Sequence, residues 1–133
     1  MTDLNDPQVR QLLEQPNYAA VSTLNQDGSV HSTVVWVGLE NGELAVNSAV
    51  GRTWPANLQR DPRVTLVVYP GDNPYDYVEV RGTATGSRQD ADDHINRLSK
   101  KYIDQDEYPF RQPGEERIKF VIEPERVRHQ KQG

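Results

Sequence analysis

The amino-acid sequence predicts a mainly β fold with a few α-helices, in which six antiparallel strands form one barrel-like sheet. Runs of strand length are rich in β-branched and aromatic residues. The dipeptides Asp27-Gly28 and Asn41-Gly42 supply the positive φ values that tight hairpin turns require. Only short stretches show the helical spacing of apolar residues. With 133 residues, the chain is expected to form a single domain, residues 1–133.

The N-terminal half is predicted to begin with a helix and to continue as strands. The helix covers residues 7–14, because Asp6 suits the N-cap and Pro7 suits the first helical position. The strands are predicted at residues 18–24, 30–37 and 43–47. The strand at 30–37 has apolar residues at both odd and even positions, so we expect both of its faces to be partly covered.

The central segment from Asn47 to Tyr69 is predicted to form a strand end, a polar turn, a short helix and another strand. Thr53 is expected to be the N-cap of this helix, and Asp61-Pro62 ends it because a residue before proline avoids the α region. The turn Gly51-Arg52-Thr53 places free backbone N–H groups and a positive helix end where an anion would be favoured. The alternative is a helix cap with a solvated arginine.

The C-terminal half is predicted to contain a turn-rich loop, a long strand, an amphipathic helix and a last strand. These elements are expected at residues 70–74, 75–87, 90–102 and 116–122. Gly82 indicates a bend or bulge in the long strand. Pro124 should end the last strand, and the basic segment 126–133 is expected to fray.

Composition excludes several functional classes. The net charge of −5 argues against general binding to nucleic acid or to anionic membranes. The apolar runs are too short to span a bilayer, and the acidic N-terminus has no apolar stretch typical of a signal peptide. There is no cysteine, and hydrophobic residues make up only 35% of the chain. We therefore expect a cytoplasmic protein with a modest core, which a large dimer interface would stabilise.

The common catalytic motifs are absent. The histidines His31, His94 and His129 have no second ligand at a metal-binding spacing, so no metal site is predicted. The sequence has no G-x-S-x-G elbow and no glycine-rich phosphate loop. A local basic patch of Arg52, Arg60 and Arg63 could still hold one phosphate group.

One motif resembles a known family. Asn57-Leu58-x-Arg60-Asp61-Pro62-Arg63, after a strand and a small-residue turn, resembles the corresponding stretch of split β-barrel proteins that bind flavins and deazaflavins. That family holds the pyridoxamine 5'-phosphate oxidase-like proteins and their actinobacterial relatives that use coenzyme F420. The resemblance covers about residues 18–127. It implies a six-stranded antiparallel FMN-binding split barrel that forms a homodimer.

The resemblance also implies a set of cofactor-binding residues. These are Ser32, Thr33, Val34, Val35, Trp36, Asn47, Ser48, Arg52, Thr53, Trp54, Asn57, Asn73, Tyr75 and Tyr77. Residues 32–36 would lie along the cofactor ring, and residues 47–48 would reach its side-chain hydroxyls. Arg52, Thr53 and Asn57 would hold the phosphate, while residues 73–77 of a partner chain would close the groove. Relatives often carry a second basic residue at position 54, so here phosphate binding rests more heavily on Arg52.

Some of these residues have structural alternatives. Trp36 could be a core residue, Asn57 could brace the short helix, and Tyr75 and Tyr77 could be ordinary aromatic residues of a dimer interface. No catalytic residue is assigned, because a flavin or deazaflavin ring would perform the hydride chemistry itself.

The implied function is an F420-dependent oxidoreductase that transfers hydride from the reduced deazaflavin to a small conjugated organic acceptor. One alternative is an FMN-binding oxidoreductase of the pyridoxamine phosphate oxidase type. Another is a non-catalytic protein that binds a flavin, F420 or a tetrapyrrole.

Overall fold

A computed structural model describes residues 2–131 and contains, within them, one antiparallel sheet of seven strands and three helices. The strands are β1 (Tyr18–Leu24), β2 (Val30–Val35), β3 (Val37–Glu40), β4 (Glu43–Ala49), β5 (Arg63–Tyr69), β6 (Tyr77–Ser87) and β7 (Arg117–Gln130). The helices are α1 (Pro7–Glu14), α2 (Thr53–Arg60) and α3 (Ala91–Ile103). The mainly β, antiparallel fold predicted from the sequence is confirmed.

The sheet curls into a half-barrel because its two edge strands follow each other in the chain. The strand order is β2-β1-β5-β6-β7-β4-β3, so β2 and β3 lie at opposite edges and are joined only through Trp36. The inner face carries the core, in which Leu44, Leu66 and Phe120 are almost fully buried. Helix α1 covers one part of this face, and α2 packs Trp54 against Phe120 with 5.7 Å between ring centroids. The open side of the half-barrel is where the edge strands face each other.

The predicted number of strands, six, is wrong by one, because the strand expected at residues 30–37 is two strands. Up to Val35 the chain pairs with β1, and from Val37 onward it pairs with β4. Tyr102 of α3 accepts a hydrogen bond at 3.0 Å from the Val37 amide at the point of change. A switch of partner strand leaves the alternation of residues intact, so periodicity cannot reveal it.

Pro124 does not end the last strand, and the predicted fraying from residue 126 is wrong as far as Gln130. Pro124 lies opposite Gly82, where the register between β6 and β7 shifts. A Cβ atom on Gly82 would lie 2.0 Å from the carbonyl oxygen of Glu123, so only glycine fits this irregularity. The bulge predicted at Gly82 is thereby confirmed. Residues 132–133 of the predicted frayed segment lie outside the described residues.

The start of α2 also differs from the prediction by one residue. Arg52 has extended backbone and is the N-cap, and Thr53 is the first helical residue. Within residues 2–131, no side chain forms a capping hydrogen bond with the start of α2. The end of α2 is as predicted, because Asp61 leaves the helical conformation before Pro62.

Candidate functional site

A groove of about 240 Å³ opens on the free edge of β2, between the end of β4, the start of α2, and α3. Its lining residues are Tyr18, Thr33, Val34, Val35, Trp36, Asn47, Ser48, Arg52, Trp54, Ile95, Leu98, Tyr108, Phe110 and Arg117. Because β2 is an edge strand, one side of its backbone offers N–H and C=O groups that the sheet does not use. The groove therefore combines unpaired backbone, aromatic rings and arginine side chains.

Most of the cofactor-binding residues predicted from the sequence line this groove. They are Thr33, Val34, Val35, Trp36, Asn47, Ser48, Arg52 and Trp54. Ser32 does not line the groove, and its hydroxyl lies 2.8 Å from that of Ser22 on the neighbouring strand β1. Thr53, next to Arg52, is exposed and does not line the groove. The structure thus brings together the strand and turn residues of the predicted set.

Asn57 is used within the chain. It is 4% exposed, and its amide nitrogen donates to Thr23 Oγ1 at 3.0 Å and to Asn25 Oδ1 at 2.9 Å. Its Oδ1 accepts from Arg60 at 3.1 Å. These contacts tie α2 to the end of β1 and the first hairpin, which is the bracing role considered as the alternative for this residue.

Asn73, Tyr75 and Tyr77 lie away from the groove of their own chain. Asn73 lines a separate depression together with Asp76 and His129, whose side chains form a 2.7 Å contact. The Tyr75 side chain is 66% exposed. None of the three lines the groove of its own chain, so their predicted role in closing it would require a second copy of the chain.

Among the three arginines of the predicted basic patch, Arg52 is the one whose side chain has no hydrogen-bond or carboxylate partner among residues 2–131. It is exposed at the N-cap of α2 and lines the groove. Arg63 instead donates to Asp61 at 2.7 Å, and this bond lowers the pKa of Asp61 to about 2. Arg60 donates to the carbonyl oxygen of Leu24 and to Asn57. Arg52 therefore remains available to an external anion.

Aromatic side chains form one wall of the groove. Trp36 stacks on Tyr102 with ring centroids 5.1 Å apart and planes inclined by 6°. Tyr108 meets Trp36 edge-on at 6.1 Å, and Phe110 meets Tyr108 edge-on at 5.7 Å. Burial raises the pKa of Tyr102 to about 12, so its hydroxyl stays protonated. Trp36 is thus held in place on one side and contributes to the groove on the other.

A buried polar network lies behind the groove and was missed from the sequence. The amide nitrogen of Asn47 donates to the Ala91 carbonyl at 2.9 Å and to His94 Nδ1 at 3.0 Å. Asn47 Oδ1 accepts from Arg117 Nε at 3.0 Å, and Arg117 Nη1 donates to Glu115 Oε2 at 3.0 Å. Asn47 and Arg117 are 70 residues apart in the chain, so only the pairing of β4 with β7 reveals the contact.

Two buried polar atoms near the groove have no hydrogen-bond partner among residues 2–131, Ser48 Oγ and His94 Nε2. Burial lowers the pKa of His94 to about 4, so its imidazole is neutral near pH 7. Ser48 lines the groove, whereas His94 lies beneath it in α3. An unsatisfied buried hydroxyl is costly to stability.

Within residues 2–131, no three His, Asp or Glu side chains come together in a way that could hold a metal ion. None of the helices in the same part of the chain has both the length and the apolar character required to cross a bilayer.

Comparisons with known proteins agree with the fold. Residues 6–131 match the family model described as pyridoxamine 5'-phosphate oxidase. No curated protein matches the chain. A solved structure named F420 reductase is 25% identical, with a TM-score of 0.76, and the alignment covers 90% of this chain and 94% of that one.

Two further solved structures share the fold. A conserved hypothetical protein of Mycobacterium tuberculosis is 20% identical, with a TM-score of 0.74 and coverage of 95% of this chain and 84% of that one. A pyridoxamine 5'-phosphate oxidase-related, FMN-binding protein of Nostoc punctiforme is 14% identical, with a TM-score of 0.60 and coverage of 84% and 72%.

Proposed function

The chain belongs to the pyridoxamine 5'-phosphate oxidase family, and we propose that it is a cytoplasmic, F420-dependent oxidoreductase that reduces a small conjugated organic acceptor. The 25% identity to an F420 reductase, over nearly the full length of both chains, supports the choice of cofactor. The observation that carries the proposal is the groove. It combines the free edge of β2, an aromatic wall and Arg52, which has no carboxylate partner among residues 2–131.

The residues of the groove fit a cofactor with a planar ring and a phosphate. The exposed Arg52 and the N–H groups at the start of α2 would hold the phosphate. The backbone of residues 33–36 would bind the edge of the ring, and residues 47–48, which line the groove, would lie near its side chain. Trp54 adds no second positive charge, so the affinity for phosphate depends on Arg52.

When bound, the reduced deazaflavin supplies the hydride, and the protein binds, orients and shields the reactants. The side chains of Trp36, Leu98 and Phe110 border the groove and would exclude water from the ring. No acid–base pair lines the groove among residues 2–131, so we assign no side chain to proton transfer. Positioning then accounts for most of the protein's contribution to the rate.

We further propose that the active form is a homodimer. Val30 and Val34 are 64% and 61% exposed on the outer face of the sheet, on the same side as Leu24 and Ala20 of β1. A groove of about 240 Å³ is smaller than the roughly 300–1,000 Å³ of typical ligand sites. A second copy packed on the outer face would bury the exposed valines, and its Asn73, Tyr75 and Tyr77 would complete the groove.

Sedimentation at micromolar concentration tests the assembly. We expect a dimer, and Val34→Lys should shift the equilibrium toward monomer because it places a charge in the interface. Gln112→Lys, a charge introduced on the exposed segment between α3 and β7, is the matched control and should leave the dimer intact. A wild-type protein that sediments as a stable monomer contradicts the proposed assembly.

Titration of the purified protein with F420 and with FMN, followed by fluorescence, tests the choice of cofactor. We expect tighter binding of F420. Preferential binding of FMN would favour an FMN-dependent oxidoreductase, for which the FMN-binding relative is the supporting observation. Binding of F420 without reduction of any conjugated acceptor would indicate a non-catalytic cofactor-binding protein.

A further inference from the structure

The side chains of Lys101 and Tyr102, in the last turn of α3, hold the junction at which β2 ends and β3 begins. Val37, the first residue of β3, is fully buried. Its amide donates to Tyr102 Oη at 3.0 Å, and its carbonyl oxygen accepts from Lys101 Nζ at 2.6 Å. Because β3 is an edge strand, these side chains supply hydrogen bonds that a neighbouring strand would otherwise make.

The same two side chains tie this junction to the end of α1. Lys101 Nζ also donates to the carbonyl oxygen of Leu13 at 2.7 Å, and Tyr102 Oη donates to that of Asn17. Leu13 lies in the last turn of α1, where the carbonyl groups have no partner within the helix. Helix α1 has no basic residue in its last turn, so the positive charge that suits this helix end comes from Lys101.

The junction reaches the groove through Trp36. This residue lies between the two strands and lines the groove, and its ring is stacked on that of Tyr102. Trp36 is therefore held along the backbone by its neighbour Val37 and at its ring by Tyr102. A movement of the junction would change the direction of the indole and with it the wall of the groove.

The ammonium group of Lys101 is held by carbonyl groups alone. Unlike Lys100, which pairs with Asp104 and Asp106, it has no carboxylate partner among residues 2–131. Burial lowers the pKa of Lys101 to about 8, and the charge of Glu14 acts in the opposite direction. Hydrogen bonds from a charged donor are roughly twice as strong as those from a neutral one, so the hold on both carbonyl groups weakens when this proton is lost.

Other titratable groups surround this ammonium, but the contacts at the junction depend on one of them. The titratable residues of the elements packed around Lys101 are Glu14 and Arg10 of α1, Tyr18 of β1 and Glu40 of β3. Glu14 is paired with Arg10, and Glu40 is paired with Arg97. On α3 itself, burial raises the pKa of Tyr102 to about 12, so its hydroxyl keeps its proton where Lys101 loses its own.

We propose that Lys101 and Tyr102 are positioning residues for the groove: they hold Val37 in place so that Trp36 keeps one orientation, and this hold weakens when Lys101 loses its proton. The hold on the junction does not depend on the proposed function. Only the step from the orientation of Trp36 to the affinity for a planar cofactor rests on it.

The test removes each contact singly. Lys101→Met removes the ammonium and keeps a side chain of similar length, while Tyr102→Phe removes the hydroxyl and keeps the ring that stacks on Trp36. Lys100→Met, which removes the exposed ammonium of the preceding residue, is the matched control. Ile122→Val, a change in the core outside the groove, controls for a general loss of stability. Circular dichroism and thermal melting establish that each variant is folded.

Fluorine NMR of protein labelled with 5-fluorotryptophan reports the junction without any ligand. The chain has two tryptophans, so Trp36 gives one signal and the buried Trp54 serves as the internal reference. In the wild type we expect the Trp36 signal to shift with a midpoint near pH 8. Lys101→Met should lose this shift and should resemble, at pH 7, the wild type at pH 9. Lys100→Met should retain it.

Persistence of the pH-dependent shift in Lys101→Met overturns the proposal, and so does a Trp36 signal that is the same in the wild type, Lys101→Met and Tyr102→Phe. If Lys101→Met does not fold, the pH dependence of the wild type and the signal of Tyr102→Phe decide.

Fluorescence titration with F420 and with FMN tests the effect on the groove. For the cofactor that the wild type binds, we expect about three- to tenfold weaker binding in Lys101→Met and Tyr102→Phe, and unchanged affinity in Lys100→Met and Ile122→Val. A changed Trp36 signal with unchanged affinity overturns the positioning role. If the wild type binds neither cofactor, the proposed function fails, while the Trp36 signal still decides whether Lys101 and Tyr102 hold the junction.

Discussion

Protonation of His94 should destabilise the protein in mild acid. The residue is fully buried in α3, and burial lowers its pKa to about 4 from an ordinary value of 6.5. Between these two values the unfolded chain binds a proton that the folded chain does not. The free energy of unfolding therefore falls as the pH falls from 6.5 to 4. The difference between the two pKa values corresponds to a loss of about 3 kcal/mol in the free energy of unfolding at pH 4.

The charged groups around His94 come from three elements. Glu40 in β3 and Asp90 at the start of α3 favour the protonated imidazole, whereas Lys119 in β7 and Arg97 in α3 oppose it. The effects of these charges partly cancel, so burial determines that the pKa of His94 is lowered. Protonation would also remove the acceptor that His94 Nδ1 offers to the Asn47 amide.

Urea denaturation at a series of pH values between 7 and 4 measures this effect. His94→Gln keeps an acceptor for Asn47 but does not titrate, so its free energy of unfolding should depend much less on pH than that of the wild type. His31→Gln, which replaces a half-buried histidine on the edge strand, is the matched control. Equal pH dependence of the wild type and His94→Gln would show that protonation of His94 does not cause the loss of stability in acid.

Further predictions concern the cofactor, the bulge and the chemistry. Arg52→Ala should weaken cofactor binding about ten- to hundredfold in a fluorescence titration, with little change in Tm because the side chain is exposed; equal binding would place the phosphate elsewhere. Gly82→Ala should lower the free energy of unfolding by roughly 2 kcal/mol or more, because its Cβ would collide with the Glu123 carbonyl, whereas Gly71→Ala meets no atom within 4 Å and should be tolerated. A stable Gly82→Ala variant would show that the strands can shift apart. His31→Ala should lower kcat by less than about tenfold, whereas loss of a general acid typically costs about 10²–10⁴-fold; a thousandfold loss with intact cofactor affinity would make His31 the proton donor.

Local signals in the sequence predicted the elements well. Asp27-Gly28 forms the first hairpin turn, with a φ of 87° at Gly28, and Asp6 is the N-cap of α1, which begins at Pro7. The same local reasoning failed at Pro124, which it expected to end a strand. The proline is accommodated because Gly82 lies opposite it in β6. The residues next to Pro124 in the sequence give no sign of this pairing.

The candidate site was predictable only where it is continuous in the chain. The stretch 33–36 and the turn at Arg52 are local patterns, and both line the groove. Arg117 and Tyr108 reach it from distant segments, and their contribution depends on strand register and on the path of the segment after α3. Burial of His94 likewise depends on the packing of α3, because an amphipathic pattern does not distinguish a histidine at the edge of the apolar face from one inside it.

The unpaired edge of β2 affects how quickly its backbone amides exchange hydrogen with solvent. Because β2 pairs only with β1, the amides that point away from β1 exchange hydrogen with solvent without any opening of the sheet. Strand β5 is paired on both sides, so its amides exchange only through larger unfolding events. A ligand bound along β2 would slow exchange at the outward amides alone. Hydrogen exchange of residues 33–35 can therefore report whether a ligand occupies the free edge of β2, even when its affinity is modest.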